Sequence, residues 1–127
     1  RTFGLGSISK EAITVYEIVK ESQKAGLKAV RPGKTCASVD DACRKIIEEY
    51  NYGPHFIHST GHGIGLDVHE SPNISAKSKE KLKKDMAITV EPGIYIPKKF
   101  GVRIEDSLIV KDRAAVMHKF TKDLIVI

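Results

Sequence analysis

Residues 58–70, HSTGHGIGLDVHE, place three histidines and two acids in thirteen residues, around three closely spaced glycines. A hydrophobic core has no use for His58, His62 and His69 together, and neither has an ordinary surface loop. Two further acids stand out downstream: Glu91 in TVEPGIY and Glu105 in GVRIED. Imidazole and carboxylate groups in one set suit Mn, Co, Fe or Zn, which makes His62, Glu91 and Glu105 a candidate ligand set. A carboxylate can also bridge two ions about 3.5–4 Å apart, an arrangement that activates water for hydrolysis. Read singly, either glutamate is better explained as a solvent-facing strand residue. Gly61, Gly63 and Gly65 allow close backbone approach but form no phosphate loop, because no lysine and helix start follow in register. Asp67 and Glu70 read as structural partners of the neighbouring turn, and His55 and His118 as surface residues.

Several elements must position these groups. Val15, Ile18, Val19, Ser22, Ala25, Gly26 and Ala29 recur at helical spacing, so a helix is expected from about Lys10 to Ala29, with Ser9 as N-cap. Arg31-Pro32-Gly33 stops it. A second helix carries Val39, Ala42, Cys43, Ile46, Ile47 and Tyr50; Thr35 can cap it, or Ser38 can through a Ser38-x-x-Asp41 capping box. Asn51-Tyr52-Gly53-Pro54 ends it. Strands are then expected over Ala87–Ile96, Val102–Val110 and Leu124–Ile127. Alternation puts Val102, Ile104, Leu108 and Val110 on one face and Arg103, Glu105 and Ser107 on the other. Thr89 and Glu91 likewise oppose Ile88 and Val90, so each strand offers one glutamate from its polar face. Helices followed by strands, without βαβ alternation, predict an α+β fold with a mostly antiparallel sheet.

At 127 residues, 41% hydrophobic and 29% charged, the chain fits one globular domain. No apolar run reaches the roughly eighteen residues of a membrane span, and no signal-peptide pattern follows Arg1. The chain opens on arginine rather than methionine and is expected to continue upstream. The net charge of +5 would admit nucleic acid. However, five lysines lie between Lys77 and Lys84 with no aromatic interleaving, which favours a solvated helix or turn. Cys36 and Cys43 have no metal-type spacing and would lie about 10 Å apart along one helix, too far for a disulfide. Two reduced thiols fit an intracellular, cytoplasmic protein.

The three motif blocks, His58-x-x-x-His62-Gly-Ile-Gly-Leu-Asp-Val-His69-Glu, Thr-Val-Glu91-Pro-Gly-Ile-Tyr and Gly-Val-Arg-Ile-Glu105-Asp, resemble the pita-bread metallopeptidases. That family includes Xaa-Pro dipeptidase (prolidase), aminopeptidase P and methionine aminopeptidase. The resemblance runs along the whole chain, through Arg31-Pro-Gly33 and the second helix with Arg44. The Val-His-Glu and Gly-Val-Arg-Ile-Glu-Asp forms look more like the proline-specific branch. The resemblance implies a pita-bread (creatinase/aminopeptidase) fold, here incomplete, with two helices packed on a mostly antiparallel curved sheet. It implies that His62 and Glu91 ligate one divalent ion and that Glu105 bridges two, with Mn or Co ahead of Zn or Fe. It further implies that Glu91 shuttles the proton of the attacking water. His58 and His69 would contact substrate and stabilise the tetrahedral intermediate, and Arg103 would support a ligand or bind a substrate carboxylate.

The family pattern also has two aspartate ligands just before a Thr-Arg-Thr-like segment, and Arg1-Thr2-Phe3 looks like the end of that segment. None of Asp40, Asp41, Asp67, Asp85, Asp106, Asp112 and Asp123 sits in the expected motif. Residues 1–127 are therefore expected to be the carboxy-terminal portion of the catalytic domain, with three of five ligands and no hydrolysis on their own. The expected reaction of the intact enzyme is hydrolysis of Xaa-Pro bonds in dipeptides or short peptides. The competing reading is a pita-bread protein-binding module that has lost catalysis. A peptide is the expected partner, without nucleic acid or membrane. Uncovered sheet edges would favour association with a second copy, and so a homodimer.

Overall fold

A computed structural model describes residues 1–127. Helix α1 spans Lys10–Ala29, and Ser9 caps it by accepting from the Ala12 amide at 3.1 Å. Its inward face buries Val15, Tyr16, Ile18, Val19, Ser22, Gln23 and Gly26. Helix α2 spans Cys36–Glu49 and is capped by Thr35, whose hydroxyl accepts from the Ser38 amide at 3.2 Å. The Ser38 capping-box alternative is not realised. Ser38 lies inside the first turn, and its hydroxyl donates back to the Thr35 carbonyl at 2.7 Å. Such a threonine cap typically contributes about 1 kcal/mol. Cys36 and Cys43 are both buried and free.

Seven short strands follow, β1 (Gly61–Gly63), β2 (Glu70–Ile74), β3 (Ala87–Val90), β4 (Gly93–Ile96), β5 (Phe100–Arg103), β6 (Asp106–Val110) and β7 (Ala114–Val116). They form a five-stranded sheet in the order β2-β1-β3-β6-β7 and a separate β4-β5 hairpin, with every strand pair antiparallel. A core of 19 apolar residues lies between the helices and the sheets, including Ile47, Ile74, Ile88, Ile94, Ile104 and Leu108. The Lys77–Lys84 segment is irregular, and its five lysines are exposed. No helix is long and apolar enough to cross a membrane.

Two expected strands are each divided. Ala87–Ile96 breaks at Glu91-Pro92 into β3 and β4, and Val102–Val110 breaks at Ile104-Glu105 into β5 and β6. Pro92 has no amide hydrogen to donate to a ladder. Its carbonyl accepts instead from Ile104 at 3.4 Å, which ties the two break points together. The chain thus changes sheet at the two candidate glutamates. The pairing Val90↔Asp106 before the break and Gly93↔Arg103 after it keeps one register, which sets Glu91 opposite Glu105. The Leu124–Ile127 run is no strand. It makes an isolated parallel bridge, Gly4↔Val126, whose hydrogen bonds tie the two ends of the chain together.

Candidate metal centre

His62 sits in the middle of β1 and Glu91 just past the end of β3. The Nδ1 of His62 lies 2.8 Å from the Gly63 carbonyl. A carbonyl only accepts, so Nδ1 carries a proton and Nε2 is the nitrogen left to face Glu91. That Nε2 is 3.1 Å from Glu91 Oε1. A proton on Nε2 or a metal ion shared by the two groups would each give this spacing. Two donors each about 2.1 Å from one ion and at right angles would lie about 3.0 Å apart, so the pair fits adjacent positions in one coordination sphere. The Thr89 hydroxyl donates to the same Oε1 at 2.7 Å.

Glu105 is half-buried and faces Glu91 in register, but its carboxylate does not join the pair. No three His, Cys, Asp or Glu side chains converge at ion-binding range. Glu105 instead lines a cavity of about 290 Å³ with Arg1, Thr2, Tyr95, Gly101 and Arg103. Arg103 is half-exposed and its Nε lies 3.9 Å from Glu91 Oε2, so it attends the His62–Glu91 pair. The Thr2 hydroxyl donates to the Arg103 carbonyl and accepts from the Arg103 amide, each at 3.0 Å.

Of the other two candidate histidines, His69 lies against the pair and His58 against Tyr95. His69 is exposed and packs edge-on against His62, with ring centroids 4.5 Å apart. His58 directs Nδ1 to the Ser59 carbonyl and Nε2 to the Tyr95 hydroxyl, both at 2.8 Å. By the same reasoning its Nδ1 carries a proton, and Nε2 pairs with the Tyr95 hydroxyl. The ring of Tyr95 covers Gly101, its partner across the β4–β5 pair; a Cβ there would come within 2.7 Å of Tyr95 Cδ1. Glu70 accepts from the Asp67 amide at 2.9 Å and so braces the turn between the histidines, as expected. His55 is half-buried rather than on the surface, with Nδ1 3.1 Å from the Tyr95 carbonyl.

Two buried aspartates hold this frame, and sequence reasoning missed both. Asp40 is fully buried in α2. It accepts from Arg44 at 2.8 and 3.0 Å, and from the Thr60 hydroxyl and amide at 2.9 and 3.2 Å. Arg44 also donates to the Phe56 and His58 carbonyls at 3.0 and 3.1 Å, so one ion pair on α2 fixes the backbone around His58. Asp106, also fully buried, binds Arg1 at 2.8 Å, Gln23 at 2.9 Å and Lys122, with the exposed His118 at 3.4 Å. Burial pushes its carboxyl up, but hydrogen bonds from Lys122, Arg1 and Gln23 more than offset this and hold it below the ordinary carboxylate range. Arg1 also donates to the Glu105 carbonyl, which fixes the backbone of the third candidate ligand. The one available signal was parity, since Asp106 falls on the apolar face of its strand.

The model of metallopeptidase family M24 matches residues 1–112. The chain belongs to metallopeptidase family M24. It is 50% identical over 115 residues to the Xaa-Pro dipeptidase of Pyrococcus furiosus, covering 91% of this chain and 33% of that protein. Its fold superposes on the solved structure of an Xaa-Pro dipeptidase from Bacillus anthracis with a TM-score of 0.97 at 44% identity, over all of this chain and 36% of the other. The pita-bread fold expected from the three motifs is therefore the observed one. The N-terminal domain of the FACT subunit SPT16 from chickpea shares it at a TM-score of 0.87 and 23% identity, covering 99% of this chain and 33% of the other, a likeness of fold alone. The chain spans about a third of the length of the curated M24 relatives it matches.

Proposed function

We propose that residues 1–127 form the carboxy-terminal portion of a dinuclear M24 catalytic domain that hydrolyses Xaa-Pro bonds in dipeptides or short peptides. The observation that carries this is the His62 Nε2–Glu91 Oε1 approach of 3.1 Å, a spacing that suits adjacent ligands of one ion. Glu105, opposite Glu91 in register, completes a three-member set once its side chain turns toward the pair. Mn or Co is the expected metal, with Zn or Fe as the alternatives. Bound divalent ions would polarise the scissile carbonyl and make water acidic enough to serve as nucleophile near neutral pH. Within the chain, His58 and His69 would hold the carbonyl oxygen as it gains charge, and Tyr95 would keep the His58 ring in one orientation. Glu91 Oε2, which Thr89 does not engage and which lies 3.9 Å from Arg103 Nε, is the oxygen that would hold a proton.

The preference for proline rests on the relatives' printed activity and on the Val-His-Glu and Gly-Val-Arg-Ile-Glu-Asp forms. The module without catalysis is the weaker reading, because a binding surface has no chemical need for His58, His62, His69, Glu91 and Glu105 together. The test is hydrolysis by the intact protein, with Mn(II) or Co(II), of an Xaa-Pro dipeptide beside a peptide beginning with methionine. Faster release of the methionine would refute the proline-specific branch. No metal-dependent hydrolysis of either would refute the enzyme.

A further inference from the structure

We propose that the Thr89 hydroxyl is a positioning group that locks His62 and Glu91 into one shared geometry for the ion. This rests on the metal-centre reading above and deepens it. Thr89 is 3% exposed and lies on β3, two residues before Glu91 and on the same face. Its Oγ1 accepts from the His62 amide at 3.1 Å and donates to Glu91 Oε1 at 2.7 Å. The directions are fixed by chemistry. An amide N–H can only donate, so Oγ1 must accept there, and its single proton is left for the carboxylate.

The sheet shows why a side chain does this work. Backbone hydrogen bonds join β1 and β3 on either side of His62, from Glu91 to the Thr60 carbonyl at 2.7 Å and from Ile64 to the Ala87 carbonyl at 3.0 Å. At His62 the bond goes to the Thr89 side chain instead, next to the point where the pairing of β1 with β2 slips register. The hydroxyl therefore takes a ladder position and at the same time holds the oxygen that faces His62 Nε2. Gly61 makes the approach sterically feasible: a Cβ there would lie 2.0 Å from the Thr89 carbonyl oxygen and 3.0 Å from Oγ1. A methyl in place of the hydroxyl would leave the His62 amide unpaired and free Glu91 to rotate.

Calorimetric titration of Mn(II) into the metal-free intact protein tests this, with Thr89→Val and Thr89→Ser compared to wild type. Melting temperatures of the metal-free forms report whether each variant folds. Loss of an outer partner of a ligand typically costs about 10- to 100-fold in metal affinity. Thr89→Val should weaken Mn(II) binding by about that factor, while Thr89→Ser, which keeps the hydroxyl, should stay within about threefold of wild type. If Val does not fold, Thr89→Ala carries the same expectation. A folded Thr89→Val with wild-type affinity would overturn the role of Thr89 and leave the metal centre standing. So would a Thr89→Ser variant as weak as Thr89→Val. A wild-type protein that binds no Mn(II) would overturn the metal centre and this inference with it.

Discussion

Replacing Asp40 by asparagine changes one atom and should loosen the segment that carries His58. The Asp40 carboxylate accepts four hydrogen bonds, two from Arg44 and two from Thr60, in a site sealed from solvent. Asparagine keeps one acceptor oxygen and turns an NH2 group toward donors, and Arg44 loses its counter-ion. Breaking a fully buried ion pair from one side costs about 3–5 kcal/mol. The Arg44 side chain is 25% exposed, so water recovers part of that, and about 2–3 kcal/mol is the expected cost. The readout is amide hydrogen exchange at Thr60, whose N–H is bonded to Asp40 Oδ1 at 3.2 Å. At about 1.4 kcal/mol per decade, exchange there should accelerate by about 30- to 150-fold. Amides of β6 and β7, remote from the pair, should change little. Acceleration below about threefold at Thr60, or an equal change throughout the sheet, would refute the claim that this pair holds the His58 segment.

Three further outcomes follow from the geometry. Tyr95→Phe keeps the ring over Gly101 and removes the hydroxyl from His58, so kcat/KM of the intact enzyme should fall about 3- to 10-fold; an unchanged value would remove Tyr95 from the site. Burial pushes the Cys43 thiol up to about 12. Its folded-state value is raised, so its contribution to stability is present below the unfolded thiol value near 8.5 and is lost as pH rises from there toward 12, at about 1.4 kcal/mol per pH unit. Cys43→Ala should flatten the decline of the melting temperature between about pH 8.5 and 10.5, whereas a parallel decline would show that another group controls it. Glu91→Gln keeps the shape of the side chain but removes its charge, and should abolish measurable Mn(II) binding without lowering the melting temperature of the metal-free protein; retained binding would exclude Glu91 as a ligand.

Much of this was readable in the sequence, because caps, breakers and periodicity are local. Ser9, Pro32-Gly33 and the three-four spacing placed α1 residue by residue, and Thr35 was one of two caps considered for α2. Strand parity also survived: Ile104 and Leu108 are buried while Glu105 and Ser107 are half-exposed, even though the strand is divided. The breaks at Glu91-Pro92 and Ile104-Glu105 depend on a second sheet that no local pattern announces. Strand β1 is Gly-His-Gly, without a β-branched residue, and is held by its neighbours alone. The buried roles of Asp40 and Asp106 were hidden because an aspartate reads as a surface residue until its cationic partners are seen to converge, and Arg1 lies 105 positions from Asp106. No local pattern marks Tyr95, because its hydroxyl meets His58 only across the fold.

The central claim, a metal centre built on His62, Glu91 and Glu105 that needs further ligands to act, is tested most directly by one paired titration. Mn(II) or Co(II) is added to the 127-residue chain and to the intact protein, with binding stoichiometry and Xaa-Pro dipeptide turnover measured on the same samples. The account predicts two ions and turnover for the intact protein. It predicts at most one weakly held ion and no turnover for residues 1–127. Two tightly bound ions per 127-residue chain, with turnover near that of the intact protein, would contradict it.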